Sequence, residues 1–401
     1  MSIQSVVPPY LLDAIAERGA EKFPRAAVAA RNCRRSDAAC QNLRAKGLRY
    51  SPPDSAAPPA GSSPTEPQDS TATQDSTGTQ DSTAAQDSTA TQASASVPGS
   101  TVRGPNRLIH DAQGKEVLPG VLIRSEGEEP AADEAVNEAF DGFGAAYALF
   151  AEVFDRDSLD GRGMPLIGSV HYGQDYDNAF FDGRLMVFGD GDDEVFTGFT
   201  GSLSIIGHEL SHGVISHTAD LEYFGQPGAL NEHCADVFGA LTEQYAADQD
   251  ADAATWLIGA GIFTADVTGE ALRSMLAPGT AYDDDVLGKD PQPGHMDQFV
   301  TTDSDNGGVH LNSGIPNRAF ALAASGLGGP AWETVGPVWF AVLTGTDITK
   351  QTDFAGFAAL TIAEADARFG EGSDVHDAIV QGWDAVGVAS AEGQENVGSS
   401  W

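Results

Sequence analysis

The feature that most constrains this chain is the pentapeptide His-Glu-Leu-Ser-His at residues 208–212, which is followed downstream by Glu232. Residues four apart lie on one face of a helix, so a helix here would present both imidazole rings to a single ion. Zinc in catalytic sites takes three protein ligands and keeps its fourth position open for water. The spacing therefore predicts His208 and His212 as zinc ligands, with Glu209 beside the ion as a general base rather than a ligand.

The third ligand is expected from a second helix. Glu232 and Asp236 are again four residues apart and share one helix face. Glu232 can bind the metal, while Asp236 can accept the second N–H of a ligating histidine and so fix its tautomer. Cys234 lies about 200° around such a helix from Glu232, and His233 lies about 100° away, so we expect both to face away from the metal. The alternative is a pair of solvated histidines on an acidic surface helix, and the downstream carboxylates argue against it.

Three further segments carry a resemblance. They are Asn-Ala-Phe-Phe at residues 178–181, Ala-Leu-Arg-Ser-Met at 271–275, and Asn-Gly-Gly-Val-His-Leu-Asn-Ser-Gly-Ile at 306–315. Together with the two metal helices, they resemble segments of the thermolysin family of zinc endopeptidases and stand in that family's order. The resemblance covers roughly residues 107–388. It implies an α+β fold of two lobes, a β-rich N-terminal lobe and a mainly α-helical C-terminal lobe, with the zinc helix between them.

The resemblance also implies a role for each catalytic residue. The three ligands named above hold one zinc ion, and Glu209 activates the water and later protonates the leaving amine. Tyr223 and His310 stabilise the oxyanion, and Asp305 orients His310. Taken singly, Tyr223 would be an ordinary structural residue and His310 a loop histidine, so only the joint order of the segments favours the catalytic roles.

On the substrate side, the resemblance implies a backbone-binding set and an apolar pocket. The backbone of a bound polypeptide would be held by Asn178, Ala179 and Arg273. The pocket beyond the cut would be lined by Phe196, Phe199, Ile205, Ile258 and Leu272. Such a pocket favours a bulky apolar residue on the C-terminal side of the cleaved bond.

The N-terminus is similar to the short precursor segment of protealysin-like members of that family, through Val-Pro-Pro-Tyr-Leu-Leu at residues 7–12 with Ile-Ala at 15–16. Residues 1–50 carry a net charge of +5 and are interpreted as a pro-segment that inhibits the acidic catalytic part of the same chain. Residues 51–103 contain only a few charged and many small and polar side chains, with a six-residue unit that recurs from Gln68 to Gln92, and should form a disordered linker. We expect maturation to cut the chain between residues 51 and 106.

Hydrophobic periodicity assigns the remaining elements. The N-terminal catalytic lobe, residues 104–217, is predicted to contain strands at 108–110, 117–124, 166–171 and 185–188, a helix at 135–154 and the zinc helix at 203–217. The C-terminal lobe, residues 218–390, is predicted to contain helices at 230–245, 353–369 and 375–386, before a polar tail at 391–401. The zinc helix carries an apolar stripe opposite its histidines, so it should run through the centre of the molecule.

The calcium cluster of the family is matched only in part. Ser204, Leu257 and Ala260 stand where the resemblance implies acidic residues or other ligands, and Glu243 remains. Calcium takes six to eight oxygen ligands, so a family-like double calcium site is not expected, while calcium binding elsewhere stays open. The acidic run at residues 283–285 is interpreted as solvated charge.

Composition limits the partners and the compartment. The net charge of −38 repels nucleic acid and anionic membranes. No apolar run approaches the roughly 20 residues of a membrane helix, and no secretory signal is visible at the start. We expect secretion by a route that the sequence does not reveal, with a cytoplasmic enzyme as the alternative.

Cys33 and Cys40 either close a small disulfide loop or stay free.

Two other functions compete with an endopeptidase made as a proenzyme. The first is an inactive zinc-binding module for adhesion or scaffolding, which would be expected to lack Glu209 or His310. The second is a zinc hydrolase that acts on small molecules and does not need backbone-binding residues. The residues present favour polypeptide substrates over both alternatives.

The acidic surface leads to a prediction about salt. Residues 104–401 hold 49 acidic residues against eleven basic ones, so the compact state repels itself. If the protein is halophilic, its midpoint of thermal unfolding should rise between about 0.1 M and about 3 M sodium chloride, because the Debye length falls below about 3 Å. The measurement uses the Glu209→Gln variant, to avoid self-digestion, with zinc held fixed. An unchanged midpoint would identify the charge as a solubility feature of an ordinary extracellular enzyme.

Overall fold

The computed structural model describes residues 4–45 and 104–388. The linker predicted to be disordered, at 51–103, and the polar tail at 391–401 lie outside the described residues, as does the side chain of Cys40. Cys33 is a buried free thiol.

A six-stranded mixed sheet forms the β part of the N-terminal lobe. Its strands are β1 (Gln4–Ser5), β2 (Arg107–Asp111), β3 (Val121–Ser125), β4 (Leu166–Val170), β5 (Ala179–Phe181) and β6 (Met186–Phe188). The sheet order is β1-β5-β6-β4-β2-β3. β4 runs parallel to β2 and β6, and the other neighbours pair antiparallel. Two short antiparallel pairs follow in the chain, namely β7 (Leu257–Ile258) with β8 (Arg273–Ser274) and β9 (Asp283–Asp284) with β10 (Gly288–Lys289).

The described residues also contain ten α-helices. They are α1 (Pro9–Arg18), α2 (Pro24–Ala45), α3 (Glu134–Ala148), α4 (Leu203–Ser216), α5 (Gly225–Ala246), α6 (Asp305–Asn312), α7 (Gly314–Leu327), α8 (Val335–Thr344), α9 (Phe354–Phe369) and α10 (Asp374–Ala385). A π-helical turn, Leu149–Val153, continues α3. The expected α+β fold, with a β-containing N-terminal lobe and a helical C-terminal lobe, is confirmed. Within the described ranges, no helix has both the length and the apolar character to cross a bilayer.

Helix α4, which carries both histidines of the motif, is buried from Ser204 to Ile215. Its neighbour α5 approaches it so closely that glycine is needed at the contact. A Cβ atom on Gly239 would lie 2.6 Å from the Ser204 carbonyl oxygen, and one on Gly207 would lie 2.8 Å from the Thr242 hydroxyl. This close approach holds the histidine face of α4 against the carboxylate face of α5, and it agrees with the central position predicted for the zinc helix.

The opposite face of α5 is fixed by an aromatic core. Trp339 of α8 stacks on Trp383 of α10, with ring centroids 6.0 Å apart. His233 of α5 accepts the Trp339 indole N–H at Nε2, at 2.7 Å, and its Nδ1 donates to the Asn317 side chain at 2.8 Å. Burial lowers the pKa of His233 to about 4, so the ring is neutral. His233 and the fully buried Cys234 therefore face away from the metal ligands, as predicted.

Several element boundaries differ from the prediction for local steric reasons. The strand predicted at 117–124 begins only at Val121, because Gly120 has a φ of 92° and a Cβ there would lie 2.2 Å from the Asp111 carbonyl oxygen. The helix predicted at 230–245 begins at Gly225, in a Gly-Gln-Pro-Gly stretch of low helix propensity. A Cβ atom on Gly228 would lie 2.5 Å from the Val309 side chain, so this first turn packs tightly against α6.

The roles predicted for two aspartates near turns, Asp353 and Asp284, have different outcomes. Asp353 caps α9 by accepting the Gly356 N–H at 2.8 Å, as the sequence predicted. The interpretation of residues 283–285 as solvated charge is wrong for Asp284. That half-buried carboxylate accepts backbone N–H groups of Thr268 and Val286, at 2.9 and 2.7 Å, and so holds the β9–β10 hairpin.

One charged cluster in the N-terminal lobe couples the fold to pH. His171 directly follows β4 and bridges two carboxylates, with Nδ1 at 2.8 Å from Asp190 and Nε2 at 2.9 Å from Asp133, which caps α3. The hydrogen bond to Asp190 raises the pKa of His171, against the lowering effect of burial, and with Asp133 brings it to about 9. The folded protein thus binds this proton more tightly than the unfolded chain does.

Replacing this histidine should destabilise the protein in a pH-dependent way. The contribution of His171 is fully present below its unfolded pKa of 6.5 and is lost as pH rises through about 9. We expect His171→Gln to lower the free energy of unfolding by about 1–2 kcal/mol near pH 6, after allowance for solvent screening. Near pH 10 the difference should vanish.

Thermal and urea unfolding at both pH values measure this effect. The control is His217→Gln, since the His217 ring bonds the Gly213 carbonyl instead of a carboxylate. A difference between His171→Gln and the wild type that stays constant with pH would contradict the assignment of an ionic clamp.

Candidate metal and peptide-binding site

The three residues predicted to bind metal come together in the centre of the molecule. The Nε2 atoms of His208 and His212 are 3.0 Å apart. The Glu232 carboxylate oxygens lie 3.5 Å from His208 Nε2 and 3.6 Å from His212 Nε2. One ligand atom from each residue can be chosen so that all lie within 4.8 Å of one another, and all three residues are buried.

The surroundings of the two histidines fit a cation. His208 Nδ1 bonds Asp236 Oδ1 at 2.8 Å, and His212 Nδ1 bonds Asn231 Oδ1 at 2.9 Å. Since both Nδ1 atoms donate, both Nε2 atoms present lone pairs toward each other. Burial lowers the pKa of His212 to about 3, so this ring does not relieve the contact by protonation. Lone pairs 3.0 Å apart, beside a carboxylate oxygen of Glu232 that has no hydrogen-bond partner, fit a metal ion held between them.

Asp236 links the metal ligands to the predicted substrate arginine. Its carboxylate accepts Arg273 Nε at 3.0 Å and Nη2 at 2.9 Å, in addition to the bond from His208. Asn317 Nδ2 donates to it as well, at 2.8 Å. Burial opposes its ionisation, but Arg273 and His208 outweigh burial and lower the pKa of Asp236 well below its usual range. Asp236 therefore contacts both His208 and Arg273, and the sequence did not indicate the second of these contacts.

The residues predicted to meet the oxyanion lie on one side of the ligands. His310 Nε2 is 3.5 Å from Glu232 and 3.4 Å from the Tyr223 hydroxyl, which donates to Glu232. Asp305 accepts His310 Nδ1 at 2.6 Å and the His310 backbone N–H at 2.9 Å. Burial would lower the pKa of His310, but the carboxylates of Glu232 and Asp305 outweigh it and raise the pKa to about 9.

A left-handed turn gives His310 its position. Asp305, Asn306, Gly307 and Gly308 all have positive φ, which folds the Asp305 carboxylate back under the histidine. A Cβ on Gly307 would lie 3.0 Å from the Gly225 backbone nitrogen at the start of α5. The turn therefore needs glycine both for its backbone conformation and for its close approach to α5.

Glu209 faces the centre of this cluster. It is fully buried, and neither of its carboxylate oxygens has a hydrogen-bond partner. Burial, followed by the charge of Glu232, raises its pKa well above the usual value, and the backbone N–H groups of Phe181 and Val6 oppose the shift. Glu209 therefore lies beside both the metal ligands and the backbone of the N-terminal segment.

The five predicted pocket residues are all buried, and the structure brings several of them together. The rings of Phe196 and Phe199 are 5.6 Å apart. Side chains of Ile205 and Leu272 meet at Gly259, and the Leu272 N–H donates to the Ile258 carbonyl at 3.0 Å. These residues form an apolar wall beside α4.

The N-terminal segment occupies the predicted substrate-binding residues. The Val6 N–H donates to the Ala179 carbonyl at 3.1 Å, and Arg273 Nη1 donates to the Val6 carbonyl at 2.8 Å. The Val7 N–H donates to Asn178 Oδ1 at 3.0 Å. All three backbone-binding residues therefore already hold a peptide backbone.

Further contacts anchor the rest of this segment, residues 4–45, which includes β1, α1 and the described side chains of α2. Arg25 pairs with Asp175, and the Ala26 N–H donates to Glu194 at 2.9 Å. The buried Asp37 accepts the Tyr176 hydroxyl at 2.7 Å. Burial raises the pKa of Asp37 to about 6, against the lowering effects of Tyr176 and the Arg34 charge.

At the position where the family resemblance implies a calcium cluster, polar groups bond within the protein. Ser204 Oγ accepts the Gly259 N–H at 3.1 Å. Burial raises the pKa of Glu243. Ala260 and Leu257 bring no side-chain oxygen. The loss of a double calcium site stays a prediction.

Sequence reasoning missed two residues of the site. Asn231 orients His212, and its place directly before Glu232 was a signal that could have been used. Asn317, which supports both Asp236 and His233, lies 81 residues after Asp236 in the chain, and no spacing indicated it.

Comparisons with known proteins agree with this geometry. Residues 68–216 match the family described as "Thermolysin metallopeptidase, catalytic domain", and residues 219–388 match "Thermolysin metallopeptidase, alpha-helical domain". The chain is 51% identical over 283 residues to "Extracellular metalloprotease" of Pectobacterium carotovorum subsp. carotovorum, covering 71% of this chain and 81% of that protein. It is 50% identical over 289 residues to "Protease PrtS" of Photorhabdus sp. (strain Az29), covering 72% and 77%.

A solved structure is similar over a larger share of the chain. It is described as "Precursor of Protealysin, Metalloproteinase from Serratia proteamaculans", and the match has a TM-score of 0.77 and 42% sequence identity. The match covers 96% of this chain and 100% of that chain.

The network around Asp236 leads to a prediction about metal affinity. Asp236→Asn removes the charged acceptor of His208 and leaves Arg273 without its counter-charge, so zinc affinity should fall about 10–100-fold. Asn231→Ala removes only a neutral acceptor and should cost less. Competition with a chromophoric chelator measures both dissociation constants. Equal losses in the two variants would show that the charge of Asp236 does not tune the site.

Proposed function

This chain belongs to the thermolysin family of metalloendopeptidases, in its protealysin-like branch, and from that premise we propose how its residues hydrolyse a peptide bond. His208, His212 and Glu232 would hold one zinc ion. When bound there, zinc would polarise the scissile carbonyl and lower the pKa of a water molecule. The observation that carries the proposal is the pair of facing Nε2 lone pairs beside an unpartnered oxygen of Glu232.

Glu209 is proposed as the general base. Its oxygens are unpartnered and buried against the ligands, so they are free to take a proton from the attacking water. It then returns that proton to the nitrogen of the leaving amine. Its position beside a bound backbone nitrogen, that of Val6, supports both steps.

His310 and Tyr223 are proposed to stabilise the oxyanion. With its pKa raised to about 9, the His310 ring carries a proton on both nitrogens near neutral pH and donates from Nε2. Asp305 fixes the ring by accepting from Nδ1 at 2.6 Å. Donors positioned in advance in a buried site need no rearrangement as charge develops, and one such donor typically contributes about 10²–10³ in rate.

The substrate is proposed to be a polypeptide held in an extended conformation. Asn178, Ala179 and Arg273 each hydrogen-bond a backbone atom of Val6 or Val7, which favours recognition independent of side chains. Asn178 also donates from Nδ2 to the Asp37 side chain at 3.4 Å. Selectivity would come from the apolar pocket, with a bulky apolar residue following the cut. These contacts speak against a hydrolase of small molecules. The presence of Glu209 and His310 speaks against an inactive zinc module.

Residues 1–50 are proposed as the intramolecular inhibitor. Residues 5–7 of this segment already form the backbone hydrogen bonds that a substrate would form with the enzyme. We further propose that the enzyme is secreted, since similar proteins of Pectobacterium and Serratia are described as extracellular.

The role of Glu209 is tested by Glu209→Gln. The variant should keep its fold and its zinc but lose about 10²–10⁴-fold in casein hydrolysis, the range for general acid–base catalysis. Zinc content by atomic absorption and casein cleavage before and after chelation are the measurements. Glu333→Gln, on the exposed surface, is the matched control and should keep full activity. Wild-type turnover by zinc-loaded Glu209→Gln would sink the assignment.

The inhibitor role is tested on the matured enzyme. N-terminal sequencing should place its start after a cut between residues 51 and 106, and a peptide of residues 1–50 added back should inhibit it. Arg25→Ala in that peptide should weaken inhibition, because it removes the ion pair with Asp175. Full activity in a protein that still begins at Met1 or Ser2 would contradict maturation.

A further inference from the structure

We propose that the pro-segment is bound in the cleft as a substrate, with the Ser5–Val6 peptide bond in the scissile position, and that the enzyme hydrolyses this bond in its own chain. The inference rests on the proposed function, because the same residues carry out the chemistry. It assigns a cleavage site inside the docked pro-segment, separate from the cut expected in the linker.

The Ser5 carbonyl is the group that faces the oxyanion donors. Its oxygen accepts a hydrogen bond from His310 Nε2 at 2.9 Å. That same nitrogen lies 3.5 Å from the metal ligand Glu232. The carbonyl that follows, that of Val6, turns instead to Arg273. Of these two carbonyl groups, only that of Ser5 therefore lies beside the proposed oxyanion donor and the proposed metal ligands, where water can attack it.

Strand pairing fixes this register. β1 pairs antiparallel with β5, so that Ser5 lies opposite Phe180, and the pairing continues through the Val6 N–H to the Ala179 carbonyl. In an extended strand, successive side chains point to opposite faces of the sheet. A shift of β1 by one residue along β5 would therefore turn each of its side chains to the other face. The contacts on both sides of the Ser5–Val6 bond therefore specify one alignment.

The residue after the bond matches the proposed selectivity. Val6 is apolar and has no exposed surface, and it belongs to the same continuous apolar core as the predicted pocket residues. Its backbone nitrogen, which becomes the leaving amine, donates its N–H to the Ala179 carbonyl at 3.1 Å. The same N–H lies close enough to the buried Glu209 carboxylate to lower the pKa of Glu209. The proton donor for the leaving group is thus beside the atom that needs it.

The reaction is an ordinary hydrolysis with one water molecule as co-reactant. The water oxygen forms a bond to the Ser5 carbonyl carbon, and the bond from that carbon to the Val6 nitrogen breaks. Glu209 takes one proton from the water and passes it to the Val6 nitrogen. The carboxyl group formed on Ser5 then gives its proton to the new amino group, so the products are a carboxylate on Ser5 and an ammonium group on Val6.

Contacts on the C-terminal side of the bond should keep the clipped pro-segment in place. Val7 remains bonded to Asn178, Arg25 remains paired with Asp175, and Asp37 remains bonded to Tyr176. The upstream fragment keeps only the short β1 pairing and the contact with His310. Gln4 borders an open groove of about 530 Å³, which gives this fragment a way out. Cleavage would therefore free one half of the cleft while the other half stays blocked.

The first test follows the N-terminus of the zinc-loaded full chain by intact mass and N-terminal sequencing. The wild type should lose residues 1–5 and begin at Val6 while the linker is still intact, with a rate constant that does not depend on protein concentration. Glu209→Gln should keep its original start. Val6→Asp should reduce the cut at least about 10-fold, because a charge would enter an apolar pocket. Glu17→Gln, at an exposed position of α1, should leave the cut unchanged.

The second test measures binding without turnover. A synthetic peptide of residues 1–12 should bind the matured Glu209→Gln enzyme in calorimetry, and the same peptide with Val6→Asp should bind at least about 10-fold more weakly. Equal binding of the two peptides would overturn the assigned register. An uncut Ser5–Val6 bond in a wild-type zymogen whose matured form digests casein would overturn self-cleavage and leave the proposed function intact. Failure of zinc-loaded enzyme to cut either substrate would overturn both.

Discussion

The buried carboxylate of Asp236 is the group on which the rest of the site depends. Four N–H groups from three residues, His208, Arg273 and Asn317, converge on its two oxygens at 2.8–3.0 Å. Removing two charges from water costs several kcal/mol per ion, and this cost is offset only where the geometry is good and the remaining polar atoms are satisfied. Asp236 meets that condition. Because one partner is a predicted metal ligand and another bonds the Val6 carbonyl, the predicted metal site and the peptide contact depend on the same charge.

The helix contact behind this network makes it rigid. Gly207 and Gly239 let α4 and α5 approach until Gly239 meets the Ser204 backbone and Gly207 meets the Thr242 side chain. The predicted metal ligands project from the two helices on either side of that contact. On the far side, α5 is held by His233 against Trp339. The distances between the ligands are thus set by packed helices instead of loops, which suits a site whose ligands must stay in place when the metal is bound.

Much of the site followed from helical spacing. His208, His212, Glu232 and Asp236 were identified because four-residue spacing puts side chains on one helix face, and the close packing of α4 and α5 then brings those faces together. Asp353 as a cap and the buried position of α4 followed from equally local rules. What was missed lies elsewhere. β1 has two residues, and its partner strand is more than 170 residues away, so no local pattern could indicate it. The left-handed turn at Asn306 and the role of Asn317 likewise depend on contacts between distant segments.

The docked pro-segment also completes a sheet. In the precursor, β1 supplies the outermost strand next to β5, so the backbone groups of β5 are paired on both sides. Once β1 is gone, β5 becomes an open edge whose unpaired N–H and C=O groups accept any extended chain, the mode of recognition known as β-augmentation. The same open edge can pair with misfolded or neighbouring chains, a hazard that proteins usually cover or block with charge. The pro-segment therefore also protects the edge of β5 from pairing with other chains. Once β1 has left, the strongly acidic surface of the catalytic part would keep copies of the enzyme apart by charge repulsion.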